Sequence, residues 1–144
     1  MEENKKPNII IAILLSLLVL ILFFITYTIA ALLCSLIYTL LSYVPIIEWL
    51  IGMLLKSWDS SFDIVITVTS LIFAGISTAY ITSKISKNDN TINLSFTISS
   101  IILIIIQSLS LLVNLMYHEA IYINVIMIIF GIIVAVSTIK ELKK

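Results

Sequence analysis

Hydrophobic residues fall along this chain in four long blocks separated by short polar stretches. The first block begins at Asn8, just after Pro7, and runs without a charge to about Leu41. As a helix rising about 1.5 Å per residue it would reach about 51 Å. The hydrocarbon core of a bilayer is only about 30 Å thick and takes about 20 residues. No Gly, Pro or charged turn divides the block, and Thr26, Tyr27 and Thr28 are all tolerated inside a helix. The pattern therefore predicts one long helix over about 8–41. Its far end, carrying Ser35, Tyr38, Thr39, Ser42 and Tyr43, is expected to leave the core.

The other spans are predicted at about 64–83, 92–116 and 120–139, joined by the polar turn Lys84–Asn90 and the short turn Tyr117-His118-Glu119. Short connections favour antiparallel neighbours. Between the first and second spans, Pro45 stops the first helix, and residues 46–58 are helix-compatible but too few to cross. Glu48, Gly52 and Lys56 recur every four residues on one stripe. Trp49 and Trp58 lie near its two ends, as suits a membrane–water boundary. A short interfacial helix is expected, apolar side down. A re-entrant segment is the alternative, and it needs a protein-lined cavity to satisfy its backbone. The expected fold class is an all-α integral membrane protein. Residues 1–144 form a single membrane domain: four transmembrane helices in an antiparallel bundle plus that interfacial or re-entrant helix.

Composition narrows the classes further. Hydrophobic residues make up 61% of the 144 and charged residues 11%, where a soluble domain carries about 25% charged. That excludes a disordered chain, a nucleic-acid binder and an ordinary water-soluble enzyme. The single Cys, Cys34, cannot form an internal disulfide and sits in an apolar run. The first hydrophobic block is too long for the ~7–15-residue core of a signal peptide, so an uncleaved first span is expected.

The net charge is zero, but its distribution is informative. Lys5, Lys6, Lys84, Lys87, Lys140, Lys143 and Lys144 fall on one predicted side and only Lys56 on the other. Short loops rich in Lys stay cytoplasmic, so both termini are expected inside. Counting acids as well, the inner segments carry +3 and the outer ones −3. The Lys-only basic set and the many Ile and Asn codons fit an AT-rich genome, and the expected location is a prokaryotic cell membrane.

The first and fourth spans are almost pure Ile, Leu, Val and Phe. The third holds Asn93, Thr97, Ser100, Gln107, Ser110 and Asn114 within roughly 140° of arc at about 100° per residue. Lipid solvates neither hydroxyls nor amides, so this stripe should face protein or a cavity. It is a candidate helix-packing face, with a lined pathway as the alternative. On the second span Ala74 and Thr78, and Gly75 and Ala79, are spaced for close helix contact. The second and third helices are expected to pack through these faces, leaving the first and fourth to lipid.

The chemistry that is missing matters as much. No carboxylate, imidazole or amine lies in the middle of a span, where proton-coupled transporters and pumps generally keep one. His118 and Glu119 are too few for a tight zinc site. The chain has no Cys-x-x-Cys, no Gly-rich phosphate loop and no Arg. No catalytic, cofactor-binding or metal-binding residues are therefore assigned, and no cofactor is expected. The expected partners are the lipid bilayer and another membrane protein, or a second copy of this chain, with no nucleic acid. The leading expectation is an accessory or interaction subunit. The alternative is an oligomeric pore, including a holin-like one, with the third-span stripe lining the path. Glu48, Trp49, Lys56 and Trp58 are the candidate interfacial contacts, and a weaker reading makes that segment a lipid or peptide sensor.

Overall fold

A computed structural model describes residues 6–43, 45, 49, 61–117 and 121–143. It contains four helices: α1 (Ile9–Ser42), α2 (Ser61–Ile85), α3 (Asp89–Tyr117) and α4 (Tyr122–Leu142). All four are long and apolar enough to cross a membrane. The first block is one uninterrupted helix of 34 residues, as its lack of a breaker predicts. Of the segment after it, only Pro45 and Trp49 are described, both helical and exposed. Glu48, Lys56 and Trp58 lie outside the described residues, as do His118 and Glu119.

Local side-chain chemistry sets the helix starts. Asn8 caps α1, its side-chain oxygen accepting from the Ile11 N–H at 3.2 Å. Asn88 does the same for α3, accepting from the Thr91 N–H at 3.2 Å. Each satisfies a backbone donor that has no partner within the first turn. α3 therefore begins at Asp89, three residues before the start read from hydrophobicity alone, because capping can recruit polar residues that a hydropathy pattern leaves in the turn. Thr91 joins the two starts: its hydroxyl oxygen accepts from the Asn8 N–H at 3.2 Å.

The packing order differs from the expected one. α3 packs most extensively on α4, α1 packs on both α2 and α3, and α2 and α3 scarcely meet. The Thr78 side of α2's small face goes to α1 instead, with Thr78 Oγ1 3.4 Å from Thr26 Oγ1. The physical reason lies in the partners available. α1 carries a buried stripe, Ala12, Leu15, Ser16, Val19 and Phe23, that fits between two helices, and α4 presents Gly131 and Ala135 to α3. The bundle thus runs α2–α1–α3–α4 around its axis, with α2 and α3 on a diagonal.

The centre is a cluster of Phe23, Leu71, Ala74, Leu103 and Met127, one or more from each helix. Phe23 stacks on Phe130 at a centroid distance of 5.6 Å. Around it the bundle is inside out relative to a soluble protein. Among the described residues, buried polar side chains outnumber buried apolar ones, while Ile, Leu, Val and Phe cover the outside. In water that surface would be an aggregation hazard; in lipid it is the solvent-compatible face.

The lysines of the described residues gather at one end of the bundle, whereas Asp63, at the start of α2, lies at the other. Asn8 meets Thr91, and Thr97 meets Thr138. The start of α1, the α2–α3 connector and the end of α4 are therefore together, with Lys6, Lys84, Lys87, Lys140 and Lys143. Lys84 and Lys140 lie in last turns and Asp89 in a first turn, the signs that complement helix dipoles.

Of Gly75 and Gly131, Gly131 has the tighter surroundings. A Cβ there would lie 2.9 Å from Ile104 Cγ1, whereas one at Gly75 would meet only the tip of the Phe130 ring at 3.2 Å. Gly131→Val should destabilise the bundle by about 1–3 kcal/mol through overpacking, and Gly75→Ala by less. Thermal unfolding in mild detergent checks this, and equal midpoints for the two variants would contradict it.

Candidate functional site

The six residues of the α3 stripe divide into three groups. Towards the end remote from the lysines, Gln107, Ser110 and Asn114 converge on one residue of α4, Asn124. The Asn124 amide donates to Gln107 Oε1 at 2.8 Å and to Ser110 Oγ at 3.0 Å. Its carbonyl oxygen accepts from the Asn114 amide at 2.7 Å. Asn124 is 6% exposed. A buried amide offers two donors and a two-lone-pair acceptor, and here both ends of the group are engaged. Asn124 lies in the first turn of α4, so the cluster sits at the rim of the α3–α4 contact and not at its middle.

At the lysine-bearing end, Thr97 Oγ1 and Thr138 Oγ1 are 2.7 Å apart across the same interface. Each oxygen also lies near a carbonyl of its own helix, Thr97 near that of Asn93 and Thr138 near that of Val134, both at 2.9 Å. With one proton each, one hydroxyl donates across the interface and the other to its own helix. Ser99, which the stripe omitted, bonds the Ser95 carbonyl at 2.6 Å and the Ser16 carbonyl of α1 at 3.1 Å. Ser and Thr readily satisfy themselves on the carbonyl three or four residues back. Ser16, Thr82 and Ser95 follow that rule as well, and Ser70 Oγ is a buried exception without a partner.

Ser100 and Asn93 belong to a different feature. They face a crevice of about 550 Å³ on the side where α2 and α3 fail to meet. Leu20 and Phe23 of α1 form its floor, Ile76 and Ala79 of α2 one lip, and Phe96 of α3 with Val134 of α4 the opposite wall. Its lining is overwhelmingly apolar. Gly75 opens the α2 side, since a side chain there would press on Phe130.

Span composition locates the fourth helix but hides the role of its two polar residues. Asn124 and Thr138 looked like isolated polar residues in a featureless span, yet they receive the α3 stripe. Their spacing of fourteen residues, close to four helical turns, places both on one face and is a signal the sequence does carry. The hypothesis that α3's polar face meets α2 gives way to α4 and α1 as its partners.

The amide cluster should behave as a unit. Asn124→Leu leaves Gln107, Ser110 and Asn114 without their shared partner and should cost about 1–3 kcal/mol. A double-mutant cycle of Gln107→Leu with Asn124→Leu, read by reversible unfolding in mixed detergent micelles, should show coupling of about 0.6–1.7 kcal/mol, the range for interhelical bonds in membranes. Strict additivity would mean the two amides do not interact. Comparison with protein-family models, with curated proteins and with solved structures finds no match for this chain, so its own geometry carries the reading of function.

Proposed function

We propose that the protein is an accessory or interaction subunit of a prokaryotic cell membrane, with both termini cytoplasmic. One observation carries the reading. Four of the six stripe residues of α3 are spent inside the bundle, Thr97 on Thr138 and Gln107, Ser110 and Asn114 on Asn124. Lining a path would require that face to turn towards water, breaking four interhelical bonds that lipid cannot replace. The Phe23–Phe130 stack also fills the bundle axis. What remains outward is apolar surface, suited to contact with lipid and with other membrane helices.

The far half of α1 is the contact surface in this reading. Beyond Tyr27 none of its described side chains is buried, and Leu33, Leu36, Ile37 and Leu40 are each more than half exposed. At about 51 Å, α1 outreaches the other three helices. A neighbouring protein can pack along it without disturbing the core. Segment 46–58, with Glu48, Trp49, Lys56 and Trp58, continues from that end and would extend the contact at the membrane boundary.

The lysine-bearing end supports the orientation, because cytoplasmic loops retain Lys. With Cys34 replaced by Ser, a cysteine placed at Asn90 or Lys143 should resist a membrane-impermeant maleimide in intact cells and react once the cells are opened. Labelling in intact cells would reverse the topology. For the contact itself, a photoreactive residue at Leu33 or Leu40 should give a discrete protein adduct in cells, and one at Ile133 or Val136 of α4 should not. Lipid-only adducts at every position, or ion leakage from vesicles that Asn124→Leu alters, would overturn the interaction reading.

A further inference from the structure

We propose that the crevice between α2 and α3 seats one acyl chain of a zwitterionic, amine-bearing phospholipid from the leaflet on the lysine-bearing side. The inference rests on the bundle lying in a membrane and is independent of what protein it contacts.

The first support is how the crevice opens. Ile72 and Ile76 on its α2 lip are 54% and 65% exposed, so the crevice is continuous with the apolar outer surface. Helix α1 closes it behind, through Leu20 and Phe23. A void of this size sits within the range of ligand pockets, about 300–1,000 Å³. Left empty, its lining would forfeit dispersion contacts. Water has few polar partners there and needs two to four. Hydrocarbon chains are the fluid that borders the opening.

The second support is length. On α3 the lining runs from Ile92 to Leu103, about 16 Å along the axis at 1.5 Å per residue. Half of a ~30 Å hydrocarbon core is about 15 Å. The crevice begins within a turn of the lysine-bearing end and stops at Leu103, Phe23 and Phe130. It is as deep as one leaflet and does not pass through.

The third support is the gradient of polarity along it. The deep end is made of those three apolar side chains. Asn93 and Thr138 line the shallow end, where the ester and glycerol groups of a lipid would lie, and the small hydroxyls of Thr78, Ser99 and Ser100 line the middle. The connector Ser86–Asn88 crosses from α2 to α3 above that end and carries the exposed Lys87. Asp89 is seven residues before Phe96 and Glu141 three after Thr138, so both carboxylates lie on the helical faces that line the crevice. Lys84 and Lys140 sit off those faces. Lys87 matches a phosphate and the carboxylates match an ammonium, which is the charge arrangement of a zwitterionic amine headgroup; a purely anionic headgroup would face the two acids. Basic sites between helices on the cytoplasmic side commonly take anionic headgroups, and the two carboxylates here turn that preference.

The full-length chain provides the test. Trp49 and Trp58 are its only tryptophans, so Trp49→Phe and Trp58→Phe clear the background for a reporter at Phe96→Trp. A second reporter, Ile133→Trp, samples the outer surface. In phosphatidylethanolamine-containing vesicles with a varied fraction of chain-brominated phosphatidylethanolamine, the crevice reporter should reach half-maximal quenching at a severalfold lower fraction than the surface reporter. Ala79→Phe, which projects into the opening, should restore the surface curve. Where Phe96→Trp fails to fold, Val134→Trp serves as the crevice reporter. Native mass spectrometry from mild detergent should find one phospholipid per wild-type chain, lost in Ala79→Phe. Superimposable curves for the two reporters, or an unquenched crevice reporter, would overturn the site. Stronger quenching by brominated phosphatidylglycerol at equal fraction would overturn the headgroup.

Discussion

The four helices are long and apolar enough to cross a bilayer, and there a polar group between their ends has to find its partner within the protein. That constraint organises the structure, with Ser70 Oγ the buried exception. Hydrocarbon offers no hydrogen bonds, so a Ser, Thr, Asn or Gln between the helix ends either satisfies itself on its own backbone or recruits another helix. The short hydroxyls take the first course. The amides of Gln107 and Asn114 cannot, because each needs more partners than its own helix turn offers. They meet Asn124, and their meeting fixes the register of α3 on α4. The lysine-bearing end is fixed in the same way by Thr97 and Thr138, and by Thr91 with Asn8. The greasy core of Phe23, Leu71, Leu103 and Met127 fills the space between, but Leu packs as well against lipid as against Leu, so it sets no register.

Much of this is legible in the sequence, and the reasons are specific. The four spans appear because crossing a bilayer takes long apolar runs that few other folds need. The continuity of α1 follows from the absence of Gly, Pro or charge over its length. The polar stripe of α3 reads out from helical periodicity alone. What periodicity does not carry is the identity of the opposing face. Asn124 and Thr138 look incidental in a span whose other residues are Ile, Val and Met, and their role emerges only when α4 lies antiparallel beside α3. The same limit explains the α2–α3 expectation. Sequence neighbours joined by three residues can still sit on a diagonal, because helix ends a few residues apart need only touch at the turn. The start of α3 lies earlier than hydrophobicity predicts for a local reason: the cap at Asn88 extends the helix through residues whose polarity reads as loop.

The crevice could not be seen in the sequence at all. It exists because two helices linked by the shortest connector fail to pack below it, and that failure is a property of the whole bundle. Gly75 contributes by withholding a side chain where Phe130 turns. A chain-by-chain reading would count Gly75 and Ala79 as a close-packing motif; here they border open space.

The bond between Asn8 and Thr91 has a consequence for how the chain is made. The ribosome delivers residue 8 long before residue 91, and α1 finds one of its two neighbours, α3, only after α2 has been threaded. The α3–α4 hairpin, in contrast, closes over a short loop and can zip as soon as it emerges. In that order of synthesis α1 would meet α2 first and α3 only later. Contacts this distant along the chain slow the search. During that interval the Ser16 backbone carbonyl that Ser99 will later share and the unbridged start of α1 are open to whatever else is near, including the insertion machinery. A helix that must idle before it docks favours a sequence such as that of α1: so uniformly apolar, over a length well beyond one bilayer crossing, that it stays inserted unaided until its partner arrives.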